Sequence, residues 1–256
     1  MRTASGMRVA LGLIGALVVA GPAPARAETA ASDPRAVAIA DQVMVAMGGK
    51  DAWEKLPGLR WSFDVTMNDT LRSSRREAWD RKSDWYRVEG KTRAGQPFCF
   101  IRNLGSGEGR AWMNGQPIEG DSLQKLLKRA KSLWINDTYW LLMPYKLRDP
   151  GVTLRYAGDT TAAGATYDRV ALSFEHVGET PGDHYWVWVN RANHRVERWD
   201  MVLQSDQPPP RSYTWEGWEQ HGGLWFATAH RQPPAVVYTR NLEIVSKFGD
   251  QEFRAP

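Results

Sequence analysis

One cysteine in 256 residues excludes an internal disulfide and any thiolate cluster for a metal. That residue, Cys99, sits in Phe98-Cys99-Phe100, which reads as buried strand, so an inert core thiol is expected. Histidine is also scarce. His176, His184, His194, His221 and His230 are scattered, none forms a His-x-His or His-Glu-x-x-His pair, and each reads as a turn or surface residue. No Gly-x-Ser-x-Gly turn is present to strain a nucleophile. Gly105-Ser106-Gly107 has the wrong spacing for one, and Arg110 stands where a dinucleotide loop needs its third glycine, so this segment reads as a hairpin loop. Carboxylate pairs such as Asp183 with Glu175 could meet in space, but sequence selects none for acid–base work. Neither catalysis, a metal nor a cofactor is therefore expected; a hydrolase with unmotifed carboxylates stays open as an alternative.

The chain has no apolar run long enough to cross a bilayer as a helix. Its one candidate lies at the start, where Arg2 and Arg8 precede an apolar stretch over 9–20 and Ala25-Arg26-Ala27 follows. This pattern reads as a cleavable secretory signal over 1–27, with the mature chain starting at Glu28. Glu28 stands where a lipoprotein would carry its acylated cysteine, so a periplasmic protein without a lipid anchor is expected. Cleavage removes three arginines and no carboxylate, leaving about +1 of the formal +4, too small a field to hold nucleic acid. Residues 28–256 contain no long linker, low-complexity tract or internal repeat and read as one domain, expected to be a monomer.

Against these absences stand thirteen tryptophans, more than the eight tyrosines or seven phenylalanines. They fall mostly on alternating runs such as Trp61-Ser62-Phe63-Asp64-Val65 and Trp199-Asp200-Met201-Val202-Leu203. Period-two placement of large rings belongs to strands with one face on an apolar interior. Trp61, Phe63, Val65, Trp199, Met201 and Leu203 should thus point inward, while Ser62, Asp64 and Asp200 face solvent.

Punctuation fixes the remaining elements. Asp33-Pro34 opens a helix and Gly48-Gly49 closes it; a short helical segment over 50–56 follows. Strands are expected over 59–67, 77–81, 85–89 and 97–103, then an Asn114-Gly115 hairpin. Asp121-Ser122-Leu123-Gln124 has the form of a capping box, with Asp121 as N-cap of a helix over 122–134. That helix carries Leu123, Leu126, Leu127, Leu133 and Trp134 on one stripe and Lys125, Lys128, Arg129 and Lys131 opposite. The basic side reads as a solvated face, or else as a contact with anionic membrane. A separate short helix containing Trp140 should end at Pro144. Strands resume over 152–157, 166–175, 184–190, 195–204, 212–219, 224–231 and 236–247. The stretch 184–189 is apolar on both sides, so both its faces should be covered, one of them by the helices.

This order, with the double-glycine helix end, Asn190-Arg191-Ala192-Asn193-His194-Arg195-Val196 and His221-Gly222-Gly223-Leu224-Trp225-Phe226, resembles the LolA/LolB-like lipoprotein-carrier superfamily. The stretch from Asn136 to Gly151 is similar to a subgroup of exported proteins with that fold. The resemblance implies an α+β fold in which a curved, incomplete antiparallel β-barrel of about 10–11 strands has helices covering its concave face. It also implies non-covalent binding of a lipid, acyl chain or other hydrophobic ligand, as in outer membrane lipoprotein sorting, with transient membrane or lipoprotein contact. The inward residues above would line the cavity, and Leu123, Leu126, Leu127, Leu133, Trp134 and Trp140 would form its lid. The rival readings are a packed core behind the same rings and a glycan-binding module that stacks sugars on exposed tryptophan. Intact mass of the exported protein checks the leader: the expected chain begins at Glu28 and carries no lipid.

Overall fold

The computed structural model describes residues 31–174, 182–203 and 209–256. The proposed leader, His176, Glu175 and Gln204 lie outside these. Among the described residues fourteen strands form two antiparallel sheets: nine in the order β12 (Glu216–His221), β13 (Leu224–Gln232), β14 (Ala235–Ile244), β1 (Gly58–Met67), β2 (Thr70–Asp80), β3 (Trp85–Lys91), β4 (Pro97–Asn103), β5 (Gly109–Met113), β6 (Gln116–Pro117), and five in the order β11 (Arg211–Thr214), β10 (Val196–Val202), β9 (His184–Asn190), β8 (Ala165–Phe174), β7 (Val152–Ala162). No helix among the described residues is long and apolar enough to cross a membrane.

Helix α1 (Pro34–Ala46) begins as its sequence dictates, with the Asp33 carboxylate accepting from the Arg35 amide at 2.8 Å and Pro34 in the first turn. It buries Ala36, Ile39, Ala40, Val43 and Met47. Its end is built on glycine. Gly48 has φ +116°, and a Cβ there would lie 2.4 Å from the Gly223 carbonyl oxygen, so the helix terminus and the Gly222-Gly223 turn touch backbone to backbone. The Trp225 amide donates to the Met47 carbonyl (3.0 Å), and the Tyr145 hydroxyl lies 2.7 Å from Trp225 O and 2.9 Å from Met47 O. Arg195 stacks over Trp225 at 4.0 Å. The motifs that carried the family resemblance thus converge on one joint. After α2 (Lys50–Lys55), Arg81 satisfies the terminal carbonyls of Trp53 and Leu56 at 2.6 and 3.0 Å.

Strand β1 (Gly58–Met67) keeps the expected alternation, with Trp61 and Phe63 each 2% exposed on the inner face. Asp64 and Asp200 do lie opposite the inward set, yet they are buried, not solvent-facing as expected. Asp64 has Arg240 3.9 Å away. Asp200, on β10 (Val196–Val202), accepts from Trp188 Nε1 (2.8 Å), Arg198 and Ser212. Strand β2 (Thr70–Asp80) starts seven residues before the expected 77–81, because β1 satisfies its polar first half by backbone pairing. Strands β3 (Trp85–Lys91) and β4 (Pro97–Asn103) follow. The hairpin between β5 (Gly109–Met113) and β6 (Gln116–Pro117) turns at Asn114 (φ 52°) and Gly115 (φ 74°), as an Asn-Gly turn should.

Helix α3 corrects two expectations. It runs without a break over Gly120–Leu142 and passes into a 3-10 turn (Met143–Lys146), where two helices were expected. Asp121 lies inside its first turn, and Glu119, whose side chain makes no capping bond, is the N-cap. The polar Asn136-Asp137-Thr138 is helical, as expected, and its side chains are partnered. Asp137 is taken by Arg75, and the Thr138 hydroxyl donates back to the Trp134 carbonyl at 2.5 Å.

The strands β7 (Val152–Ala162), β8 (Ala165–Phe174), β9 (His184–Asn190) and β10 build the second sheet. The single strand expected over 212–219 is two: β11 (Arg211–Thr214) joins this sheet, and β12 (Glu216–His221) joins the larger one. Between them Trp215 is 1% exposed and its amide donates to Glu197 O at 2.8 Å, making a corner at which the chain changes sheets. This division and the two-residue β6 contribute to a total above 10–11. β13 (Leu224–Gln232) and β14 (Ala235–Ile244) close the order against β1. The outer face of β9 is covered by guanidiniums and not by a helix: Arg198 lies 4.1 Å and Arg169 5.7 Å from the Trp188 ring.

Gly48→Ala tests the joint at α1. Strain from the positive φ and the clash with Gly223 should together cost about 2–3 kcal/mol or more, read as a lower Tm, whereas Gly95→Ala, with open space around its Cβ position, should cost less.

Candidate functional site

The site grows from what α3 does to the larger sheet. Near its start, Leu127 packs where β5 has Gly109; a Cβ on that glycine would lie 2.6 Å from Leu127 Cδ2. Further along, Trp134 meets Trp79 edge to face at 5.3 Å. At the next turn Arg75, from β2, forks onto Asp137 with Nε–Oδ2 2.7 Å and Nη2–Oδ1 2.8 Å, and its guanidinium lies 4.7 Å from the Phe63 ring. Glu77 shares that face of β2. It accepts from the Tyr86 hydroxyl at 2.7 Å through Oε2, while Oε1 has no hydrogen-bond partner and lies 3.8 Å from Arg75 Nε. Burial, with the Asp137 charge next, holds the Glu77 carboxyl well above the usual carboxylate range, and burial likewise raises Tyr86. Glu77 and Asp137 are both shut inside and spoken for, so this cluster locks α3 to the sheet.

The second half of α3 enters the smaller sheet. Trp199 is 3% exposed and is ringed by Trp140, Tyr185 and Tyr139 at 4.9–5.6 Å. His230, expected at a turn or surface, is fully buried 4.3 Å from Trp215 and 5.4 Å from Trp140. Burial pulls its pKa down to about 3, so the ring is neutral. The carbonyls of Thr214 and Trp140 oppose that effect without completing a hydrogen bond. Trp140 O has this role open because Pro144, four residues on, lacks an amide hydrogen.

Beside the Arg75 lock the interior opens. A cleft of about 560 Å³ runs between α3 and the β2–β4 region, floored by Phe98 and Leu133 and flanked by the half-exposed Leu71. Phe98 stacks on Phe100 at 4.6 Å. Arg72, Lys91, Arg93 and Arg129 edge the cleft, and no carboxylate lines it. A second depression, of about 580 Å³, lies on the outer face of the same sheet. There Arg60 holds the C-terminal segment through Glu252 (2.9 and 3.0 Å), and its lining mixes charges of both signs.

Of the residues expected to line a cavity, Trp61, Phe63, Trp199 and Met201 are buried in the packed core, and Val65 and Leu203 pack half-buried against it. Of the lid residues, Leu127 is buried and Leu123, Leu126, Trp134 and Trp140 pack on the core, while Leu133 reaches the cleft. Sequence reasoning missed Leu71, Arg72 and Arg93. Their one signal was an apolar residue stranded in the charged run 68–76. Cys99 is the buried thiol expected, pushed up by burial to about 11. Among the described residues no group of three or more His, Cys, Asp or Glu is placed to hold a metal.

The LolA superfamily protein NE2245 from Nitrosomonas europaea superposes with a TM-score of 0.51 at 11% identity, over 85% of this chain and 96% of its own. The fold is that of the LolA superfamily. A DUF1329 family protein from Desulfovibrio piger gives a TM-score of 0.48 at 13% identity, over 87% of this chain and 98% of its own. No protein-family model and no curated protein matches the sequence. The antiparallel sheets are not closed, as in that fold, and α3 lies against the larger one with the cleft at its edge.

Glu77 supplies a test. A carboxyl raised in the folded state stabilises fully below its unfolded pKa, near 4.5, and that stability is lost as pH rises through the folded value, with a slope of at most about 1.4 kcal/mol per pH unit. Glu77→Gln, which mimics the protonated acid, should flatten this fall in urea unfolding measured from pH 4 to 9; identical slopes would contradict the assignment.

Proposed function

We propose that this protein is an exported carrier that binds a lipid, acyl chain or other hydrophobic molecule non-covalently between the larger sheet and α3. The observation that carries the reading is the cleft with its Phe98–Leu133 floor, at the helix edge of a LolA-like fold. A pocket of a few hundred Å³ suits one small ligand. Each 100 Å² of chain surface moved from water onto such a floor gains roughly 2.5 kcal/mol at 25 cal/mol per Å², before association costs. Binding and release then require no chemistry, only displacement of the α3 edge around Leu133 and the β1–β2 tip bearing Leu71. A sugar platform is disfavoured, because no tryptophan of the chain is exposed.

The neutral fluorophore N-phenyl-1-naphthylamine tests the reading without help from charge. Saturable micromolar uptake by the wild type is expected. Leu133→Trp, which fills the cleft, should weaken uptake about tenfold or more. Leu127→Ala should cost about 2–5 kcal/mol of stability, as a buried leucine does, and should retain uptake. Absence of saturable uptake by the wild type would sink the carrier reading.

A further inference from the structure

The cleft edge gathers cations. Several arginines elsewhere are matched to carboxylates: Arg60 to Glu252, Arg76 to Glu89, Arg148 to Asp41, Arg191 to Asp168 and Arg198 to Asp200, at 2.5–2.9 Å. At the cleft, Arg72 from β2, Lys91 from the end of β3, Arg93 from the following turn and Arg129 from α3 converge from separate segments. None of the four has a carboxylate within 4.0 Å among the described residues, whereas Arg75 beneath them is already neutralised by Asp137. Four uncompensated cations around one opening repel one another, and that repulsion is relieved when an anion enters. Three are guanidiniums, whose planar fork fits phosphate and carboxylate oxygens in pairs.

The floor below that edge is apolar, and Leu71, 57% exposed, extends it outward. A free inorganic anion would leave this surface unused, and a neutral hydrocarbon would leave the charge unanswered. An amphiphile uses both. We infer that the cleft takes an amphiphile with an acidic headgroup, a phosphate or a carboxylate, seated among Arg72, Lys91, Arg93 and Arg129 with its chain along Leu71, Phe98 and Leu133. This rests on the carrier reading and adds to it the class of ligand. The basic outer side of α3 (Lys125, Lys128, Lys131) continues the positive edge, so it serves to draw such a ligand in and not merely to solvate the helix.

Two lysolipids of one chain length, with phosphoglycerol or phosphocholine headgroups, separate the claims in calorimetry below their micelle concentrations. The phosphoglycerol lipid should bind about tenfold or more tighter at low salt, and the gap should narrow as salt rises. The double substitution Arg93→Gln with Arg129→Gln should remove most of that gap, with its Tm measured as a control for folding; Lys247→Gln, an exposed cation away from the cleft, should keep it. Equal affinity for the two lipids would overturn the acidic-headgroup inference and leave hydrophobic binding intact. No binding of either, together with no uptake of the neutral fluorophore, would overturn both. If inorganic phosphate bound as tightly as the phosphoglycerol lipid, the site would be a plain anion site and the amphiphile inference would fall.

Discussion

The position of α3 depends on one buried ion pair, Arg75 with Asp137. Placing two charges where Asp137 meets no solvent and Arg75 little costs several kcal/mol per ion unless geometry and additional hydrogen bonds compensate. Here both nitrogens of the fork are used, Asn136 donates to Asp137 at 2.7 Å, and the guanidinium face rests on Phe63. Such a pair is poor at adding stability and good at fixing register, because α3 displaced by one turn would leave Asp137 unpaired inside the protein. The helix is thereby held at one place along β2. Leu127 then falls on Gly109, and Trp140 falls among the rings of the smaller sheet.

The joint between α1 and β13 is the second fixed point. Gly48 lets the helix end approach the Gly223 carbonyl to a distance that a side chain on Gly48 would not allow, and the Tyr145 hydroxyl sits between the Met47 and Trp225 carbonyls there. These residues belong to the segments on which the resemblance to a LolA-like fold is read. Their work is architectural: they tie the helical layer to the strand that runs beside β14, and none of them reaches the α3 cleft. A likeness carried by such positions transmits a fold and leaves the ligand free to differ.

Local physics made much of the fold readable. The Asp33-Pro34 start, the Asn114-Gly115 hairpin and the alternation of Trp61 and Phe63 each depend on residues within a few positions of one another. What stayed hidden depends on distant partners. The two expected helices are one because Asp137, just past their junction, is taken by Arg75, sixty-two residues earlier and invisible along the chain. Trp215 became a corner because Glu197 and the buried space around it wait in the other sheet. Tyr139 of α3 covers the Tyr185 face of β9, as expected of a helix, while the Trp188 face is covered by guanidiniums from neighbouring strands, partners that the local sequence does not show. The cleft itself was only faintly legible, since Leu71, Arg93 and Arg129 belong to three segments that share no pattern.

The tryptophans, the most conspicuous feature of the chain, mark where the molecule is closed. Trp199, Trp215 and Trp140, with Tyr185 and His230, fill the space between α3 and the smaller sheet with edge-to-face rings, an arrangement that tolerates little change in volume. The opening lies along the middle of α3, beside Arg129 and Leu133. There the larger sheet offers Ser73, Thr92 and Gly90, and the Phe98 ring would lie 3.0 Å from a Cβ on that glycine. Small side chains leave room where large ones would have filled it, and charged neighbours keep that room accessible to water. Leu127 and Ala130 of α3 stay in the core, so the helix is anchored along its buried side, and the room to bind belongs to the side that carries Arg129 and Leu133.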